Sequence, residues 1–180
     1  MKFRLILFTA LFTSVCLNAQ KYFARDGQVR FFSSTPIEDI EAVNSQTSSI
    51  VDWGKNQVAF RLPIKGFQFE KALMQEHFNE NYLESDEFPS AAFAGSLVDI
   101  PESADGLDDE ELLLSGILSI HGVDQKVEET FRLTKTEQGM DLKGSFVVRP
   151  KDYDIEIPSV TRDKIAQSIE VSVDIHYKRR

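Results

Sequence analysis

A chain of 180 residues, 42% hydrophobic and 27% charged, is long enough to bury one substantial core. Its single cysteine, Cys16, excludes a disulfide framework and a cysteine-clustered metal site. A formal charge of −9 sets the chain against nucleic acid and anionic membrane surfaces as partners, and selects no other class.

The first segment has the pattern of a secretory leader. Lys2 and Arg4 precede an apolar run from Leu5 to Leu17, and Asn18-Ala19-Gln20 offers a small residue at a cleavage point. The run is shorter than the roughly 20 residues of a transmembrane helix, and no second run occurs further along the chain. Val15 stands where a lipidated Cys16 would need a small residue. The expectation is cleavage after Ala19 and an exported single domain, residues 20–180, with no transmembrane segment. Lys2 and Arg4 leave with the leader and no acid does, so the charge falls from −9 to −11.

Beyond the leader, most of the chain is strand-like. In "KYFARDGQVRFF" (21–32) Asp26-Gly27 lies between apolar stretches, and this spacing predicts a hairpin. A strand is expected at 47–52 and a turn at "DWGKNQ" (52–57). "VAFRLPI" (58–64) alternates, with Val58, Phe60, Leu62 and Ile64 on one face and Pro63 on the other. The spacing then changes to that of a helix over 70–83. Met74, His77, Phe78, Asn81 and Tyr82 share one face beside Leu73, and Gln75, Glu76, Asn79 and Glu80 face water. Strands return at 91–100, 112–120, 125–135 and 140–149, with Gly122 and Gly139 in turns. "PESADGLDDEE" (101–111) reads as a solvated connection, since its acids lack the ligand spacing of a calcium loop. "IEVSVDIHY" (169–177) alternates strictly, as a half-buried antiparallel strand does. Eight or nine short strands with turns between them predict a sandwich or an up-and-down barrel.

Chemistry-bearing motifs are sparse. Phe78 comes directly after His77, Asn81 lies four residues on, and Met74 lies three before, so neither spacing of a helical metal site occurs. His121 and His176 stand apart. There is no G-x-S-x-G elbow and no glycine-rich phosphate loop. His77 reads first as a packing residue on an apolar helix face and second as a general base beside a carboxylate.

Three blocks in order carry a resemblance. "MQEHFNENYLESDEFPSAAFAG" (74–95) holds His77-Phe78, Phe88-Pro89 and Phe93. "GILSIHGVDQKV" (116–127) holds Gly116, Leu118, Ile120, Gly122, Val123 and Val127. "FVVRPKDYDI" (146–155) holds Phe146, Arg149, Asp152, Tyr153 and Ile155. Together they resemble the YceI family of exported bacterial proteins. The segment "VRFFSSTPIEDIEAVNS" (29–45) departs from that pattern, lacking the family's His-Ser and Gly-x-Phe, which predicts a differently shaped N-terminal side of the barrel.

The resemblance implies an all-β fold: an eight-stranded or slightly larger antiparallel up-and-down lipocalin-like barrel with one short helix covering an end. It also implies a periplasmic or secreted protein whose lumen holds a polyisoprenoid or isoprenoid quinone, with no catalytic cofactor and no metal. The residues expected to line that lumen are Phe60, Leu62, Phe67, Phe69, Met74, Phe78, Phe93, Phe131, Phe146 and Tyr177, with His77, Tyr82 and Arg149 placed to orient a head group. The alternatives are a filled structural barrel acting through protein contacts, and an enzyme using His77. The oligomeric state is left open, a homodimer included.

Overall fold

The alternating segments become nine antiparallel strands in a computed structural model that describes residues 20–179. The expected leader, Cys16 and the cleavage point lie outside the described residues. The strands are β1 (Lys21–Ser34), β2 (Asp39–Asp52), β3 (Gln57–Pro63), β4 (Phe67–Phe69), β5 (Ser90–Val98), β6 (Asp109–Ile120), β7 (Val123–Lys135), β8 (Gly139–Val148) and β9 (Ile169–Arg179). Eight close into a ring in the order β1-β9-β8-β7-β6-β5-β3-β2, with β2 pairing back onto β1. All but the short β4 pair with their neighbours in sequence, so the connections run up and down. β4 extends the wall where β3 leaves it: β2 pairs β3 through Ser48–Asp52 and β4 through Ala42–Asn44. Asn44, fully buried at this change of partner, donates to the Pro63 carbonyl at 2.7 Å and accepts from the Gln46 amide at 2.8 Å.

Asp26-Gly27 does not turn the chain. β1 runs through it as one strand carrying a bulge, with one residue more than β2 between Ala24 and Gly27 and one more than β9 between Phe23 and Gln28. A Cβ on Gly27 would lie 2.6 Å from Ile175 Cδ1 and 3.2 Å from the Thr47 carbonyl oxygen. The glycine therefore permits a close approach at a sharp bend, a use that competes with the hairpin reading wherever both strand edges are already paired. β2 also begins eight residues before the expected start at 47. Its first half, "DIEAVNSQ", has weak strand propensity and is held by pairing with β1 from Ser34 to Val29.

One end of the barrel is solid. Leu133, Leu142 and Ile175 are fully buried and adjacent in register across β7, β8 and β9. Trp53, in the turn after β2, donates its indole N–H to the Pro101 carbonyl at 2.9 Å. The acidic connection 101–111 is not merely solvated, because Ala104 and Leu107 insert into the core while Asp105 and Asp108 face water. A short helical turn, Ala104–Gly106, begun by the Ser103 hydroxyl accepting from the Asp105 amide, brings both apolar residues inward.

Tyr177 belongs to this solid end. The Ser49 hydroxyl donates to the Ala59 carbonyl at 2.9 Å, so the Tyr177 hydroxyl is the donor in its 2.5 Å bond to Ser49 Oγ. Burial pushes the Tyr177 phenol well above its ordinary range. The unfolded chain loses this proton above about pH 10 while the barrel keeps it, so stability is expected to fall as pH rises beyond that value. Urea midpoints between pH 8 and 11 should show the decline, and Tyr177→Phe should reduce its slope.

Candidate ligand-binding cavity

The opposite half of the barrel is hollow. A cavity of about 560 Å³ runs from Val29, Leu114, Phe131 and Val173 up to Leu73, Met74 and His77 at the mouth. On β6 it extends from Leu114 to Ile120, which is about 20 Å along the strand and roughly 15 Å of axial depth at an ordinary barrel tilt. Protein interiors carry few voids larger than a water molecule, so this volume is no packing fault. It falls within the roughly 300–1,000 Å³ range of small-molecule sites. A filled barrel, one of the two alternatives to a carrier, describes only the solid half.

Phenylalanine builds the wall. Eight of the eleven in residues 20–180 face the cavity: Phe31, Phe60, Phe67, Phe69, Phe78, Phe93, Phe131 and Phe146. The lumen stays open because rings lie flat over glycines in the wall. Gly95 and Gly116 oppose each other across β5 and β6, and a Cβ on either would come within 2.6 or 2.9 Å of Phe93 Cζ. A Cβ on Gly144 would meet Phe131 Cδ1 at 2.5 Å. Gly116→Ala would also press its methyl against the Ala94 carbonyl oxygen, a backbone contact that cannot swing aside. The clash outweighs the modest strand benefit of alanine, and a loss of about 1–3 kcal/mol is expected in denaturant unfolding.

Two pieces of chain cover the mouth. The expected 70–83 helix is realised as α1 (Ala72–His77) and then one wide turn, Phe78–Tyr82, in which the Leu83 amide donates to the Phe78 carbonyl at 2.9 Å. The wider turn changes the phase of the face: Leu83 is buried and Asn81, expected on the apolar face, is exposed. Phe78 docks the element, its ring 5.4 Å from Phe31, 5.5 Å from Phe67 and 5.0 Å from Phe69. The second cover is the connection between β8 and β9, which supplies Ile155, Ile157 and Ile165. Tyr82 Oη donates to Thr161 Oγ1 at 3.2 Å and so links the two covers. The Ala166 amide donates to the buried Ser33 hydroxyl at 2.9 Å, and Lys71 pairs with Glu38 at 3.0 Å across the rim.

Of the residues expected from sequence, Phe60, Leu62, Phe67, Phe69, Met74, His77, Phe78, Tyr82, Phe93, Phe131 and Phe146 all face the cavity. Tyr177 does not, because β9 carries its side chain two layers below the floor formed by Val173, with Ile175 between them. Arg149 does not either; it is exposed and lies 3.9 Å from Asp152 at the start of the next turn. The sequence pattern passes over Val29 and Phe31, which a hairpin at Asp26-Gly27 would assign to a separate strand. It marks the alternating face of Val171 and Val173 but not their depth, and Ile155, Ile157 and Ile165 lie in a connection without periodicity. It also passes over two polar groups. Thr47 Oγ1 is buried at the cavity wall without a hydrogen-bond partner, and the Glu129 carboxylate, between the inward Val127 and Phe131, makes no hydrogen bond or ion pair.

Among the described residues no three histidine, cysteine, aspartate or glutamate side chains are grouped to hold a metal ion, and no helix is long and apolar enough to cross a membrane. No curated protein sequence matches the chain. Among solved structures, a polyisoprenoid-binding domain from Saccharophagus degradans implicated in plant cell wall breakdown superposes with a TM-score of 0.76 at 14% identity, over 90% of this chain and 99% of that one. Burkholderia cenocepacia BcnA gives 0.67 at 13% identity over 83% and 94%, and a Campylobacter jejuni YCEI protein gives 0.53 at 13% over 69% and 72%. At such identities these likenesses speak for the fold alone. The family model of the YceI-like domain matches residues 23–177, from the first strand to the last, and the chain therefore belongs to the YceI family.

Proposed function

We propose that this protein binds and carries a long apolar molecule, an isoprenoid-like lipid or isoprenoid quinone, in the lumen of a single barrel domain released by cleavage after Ala19, with the periplasm as its place of work. The observation that carries this reading is the hollow half of the barrel, a 560 Å³ cavity walled largely by phenylalanine and aliphatic side chains. Burying an apolar chain there yields about 25 cal/mol per Å² removed from water, against which stands the cost of ordering the chain. The fold shared with the Saccharophagus degradans polyisoprenoid-binding domain supports the same class of ligand. The reading assigns the protein no catalytic step. The enzyme alternative needs His77 paired with a carboxylate, and the His77 side chain instead stands exposed at the mouth with no hydrogen bond or ion pair among the described residues. The test is mass spectrometry of an organic extract from protein purified without detergent from its native host. A stoichiometric long-chain isoprenoid or quinone is the expected result. An extract still empty after incubation with candidate lipids would overturn the carrier reading in favour of a surface function.

A further inference from the structure

The barrel wall is unzipped along one seam. β7 pairs with β6 at twelve positions from Asp109↔Thr134 to Ile120↔Val123, and β8 pairs with β9 at ten. Between β7 and β8 only four pairs form, Arg132↔Lys143 to Lys135↔Met140. Beyond them no pairing joins Lys126–Phe131 of β7 to Gly144–Val148 of β8, a stretch of about 18 Å at strand rise. Phe131 lying over Gly144 marks the fork. The far end is pinned by the turn after β8, where the Gln125 side chain donates to the Asp152 carbonyl at 2.6 Å and His121 Nδ1 donates to the Tyr153 carbonyl at 3.1 Å. The seam is thus a bounded break in the strand ladder beside the hollow half, bridged by the Phe131 and Phe146 rings at 6.3 Å, with Val147, 56% exposed, on its edge; we call this break the window.

Glu129 lies on the β7 side of this window. Alternation turns it inward among apolar residues, it lines the cavity, and no protein group pairs with it. A carboxylate in an apolar lumen is costly unless it is solvated or given a hydrogen-bond donor. A ligand whose polar end lies at Glu129 meets that need by bringing a donor.

We propose that the β7–β8 window is a lateral portal of the lumen, and that Glu129 receives there a head group that donates a hydrogen bond, an alcohol or amine in preference to a carboxylate or phosphate. The inference rests on the carrier reading and adds to it the chemistry of the ligand's polar end and its route. An apolar tail occupies the phenylalanine-walled lumen while the head stays at the window, so loading does not require the helical cover to lift.

Retinol and retinoic acid, which share one apolar chain and differ in the head group, are the probes, titrated into the full chain by fluorescence. Wild type is expected to prefer the alcohol by about tenfold, and Glu129→Leu to erase the preference while still binding both; Glu129→Gln, which keeps the shape, should relieve the discrimination against the acid. For the route, Val147→Cys and Glu76→Cys are made in the Cys16→Ser chain, which holds no other cysteine. A bulky maleimide adduct at Val147 is expected to remove the fast phase of retinol loading, and one at Glu76, on the outer face of the helical cover and not lining the cavity, to leave it. Equal affinity for both probes in wild type, a preference that survives Glu129→Leu, or loading indifferent to the Val147 adduct overturns this inference and leaves the carrier reading standing. Binding of neither retinoid, together with an empty native extract, overturns both.

Discussion

Ala91→Trp is expected to fold like the wild type and to bind an apolar ligand at least about tenfold more weakly. Ala91 faces the cavity opposite Leu62 on β3, and apart from glycine no smaller side chain is available to stand in the wall. An indole there projects into the space a ligand chain would occupy. Because that space is empty rather than packed, the ring can be accommodated without displacing core side chains. Ala94→Trp is the matching control. Three residues further along β5, Ala94 is exposed on the outer face opposite Ala59 and Ile117, so the same bulk enters solvent. Circular dichroism and melting temperature should be alike in both variants, and isothermal titration with a C20 isoprenoid should separate them. Unchanged affinity in Ala91→Trp would mean that the hollow half is not where ligand lies.

The second large effect is on stability. Leu133→Ala is expected to cost about 2–5 kcal/mol, a large share of the roughly 5–15 kcal/mol that holds an ordinary domain. Leu133 is fully buried at the one place where β7 and β8 are zipped together, and it faces Leu142, which in turn faces Ile175. Deleting its side chain leaves a cavity flanked by fully buried neighbours in a layer with no slack. The four-pair seam it supports is also the shortest ladder in the ring. Urea unfolding monitored by Trp53 fluorescence should show a lower midpoint with little change in slope. By contrast, Phe60→Leu, on the hollow side, is expected to cost well under half as much, since its ring is only partly covered to begin with.

The two halves of the barrel are legible in the sequence to different degrees. Strict alternation in 58–64 and 169–177 names the inward face correctly, and the phenylalanines at inward positions surround a cavity. Alternation carries direction and not depth. It treats Val171, Val173 and Tyr177 alike, although the first two wall the cavity and the third lies beneath its floor in a hydrogen-bonded pair with Ser49. Asp26-Gly27 misleads for a related reason. A local signal for a hairpin cannot know that both edges of the strand are claimed by β2 and β9, which make the same glycine a bulge. The acidic stretch 101–111 advertises its charges, and its two apolar residues are what the fold uses.

The residue pattern of this chain alone determines an all-β antiparallel fold with one amphipathic helical segment and a strongly acidic outer surface, because periodicity of two and turn residues depend only on near neighbours. Whether the apolar faces meet one another or enclose a space depends on how far apart the ring holds them. That is settled by contacts between segments remote in sequence: the bulge at Gly27, the plug of Ala104 and Leu107 at one end, the glycines that let Phe93 and Phe131 lie flat, and the unzipped seam where β7 and β8 part. Only the closed ring brings Glu129 to the wall of an apolar cavity, since in the sequence it is one more acid among twenty-nine aspartates and glutamates.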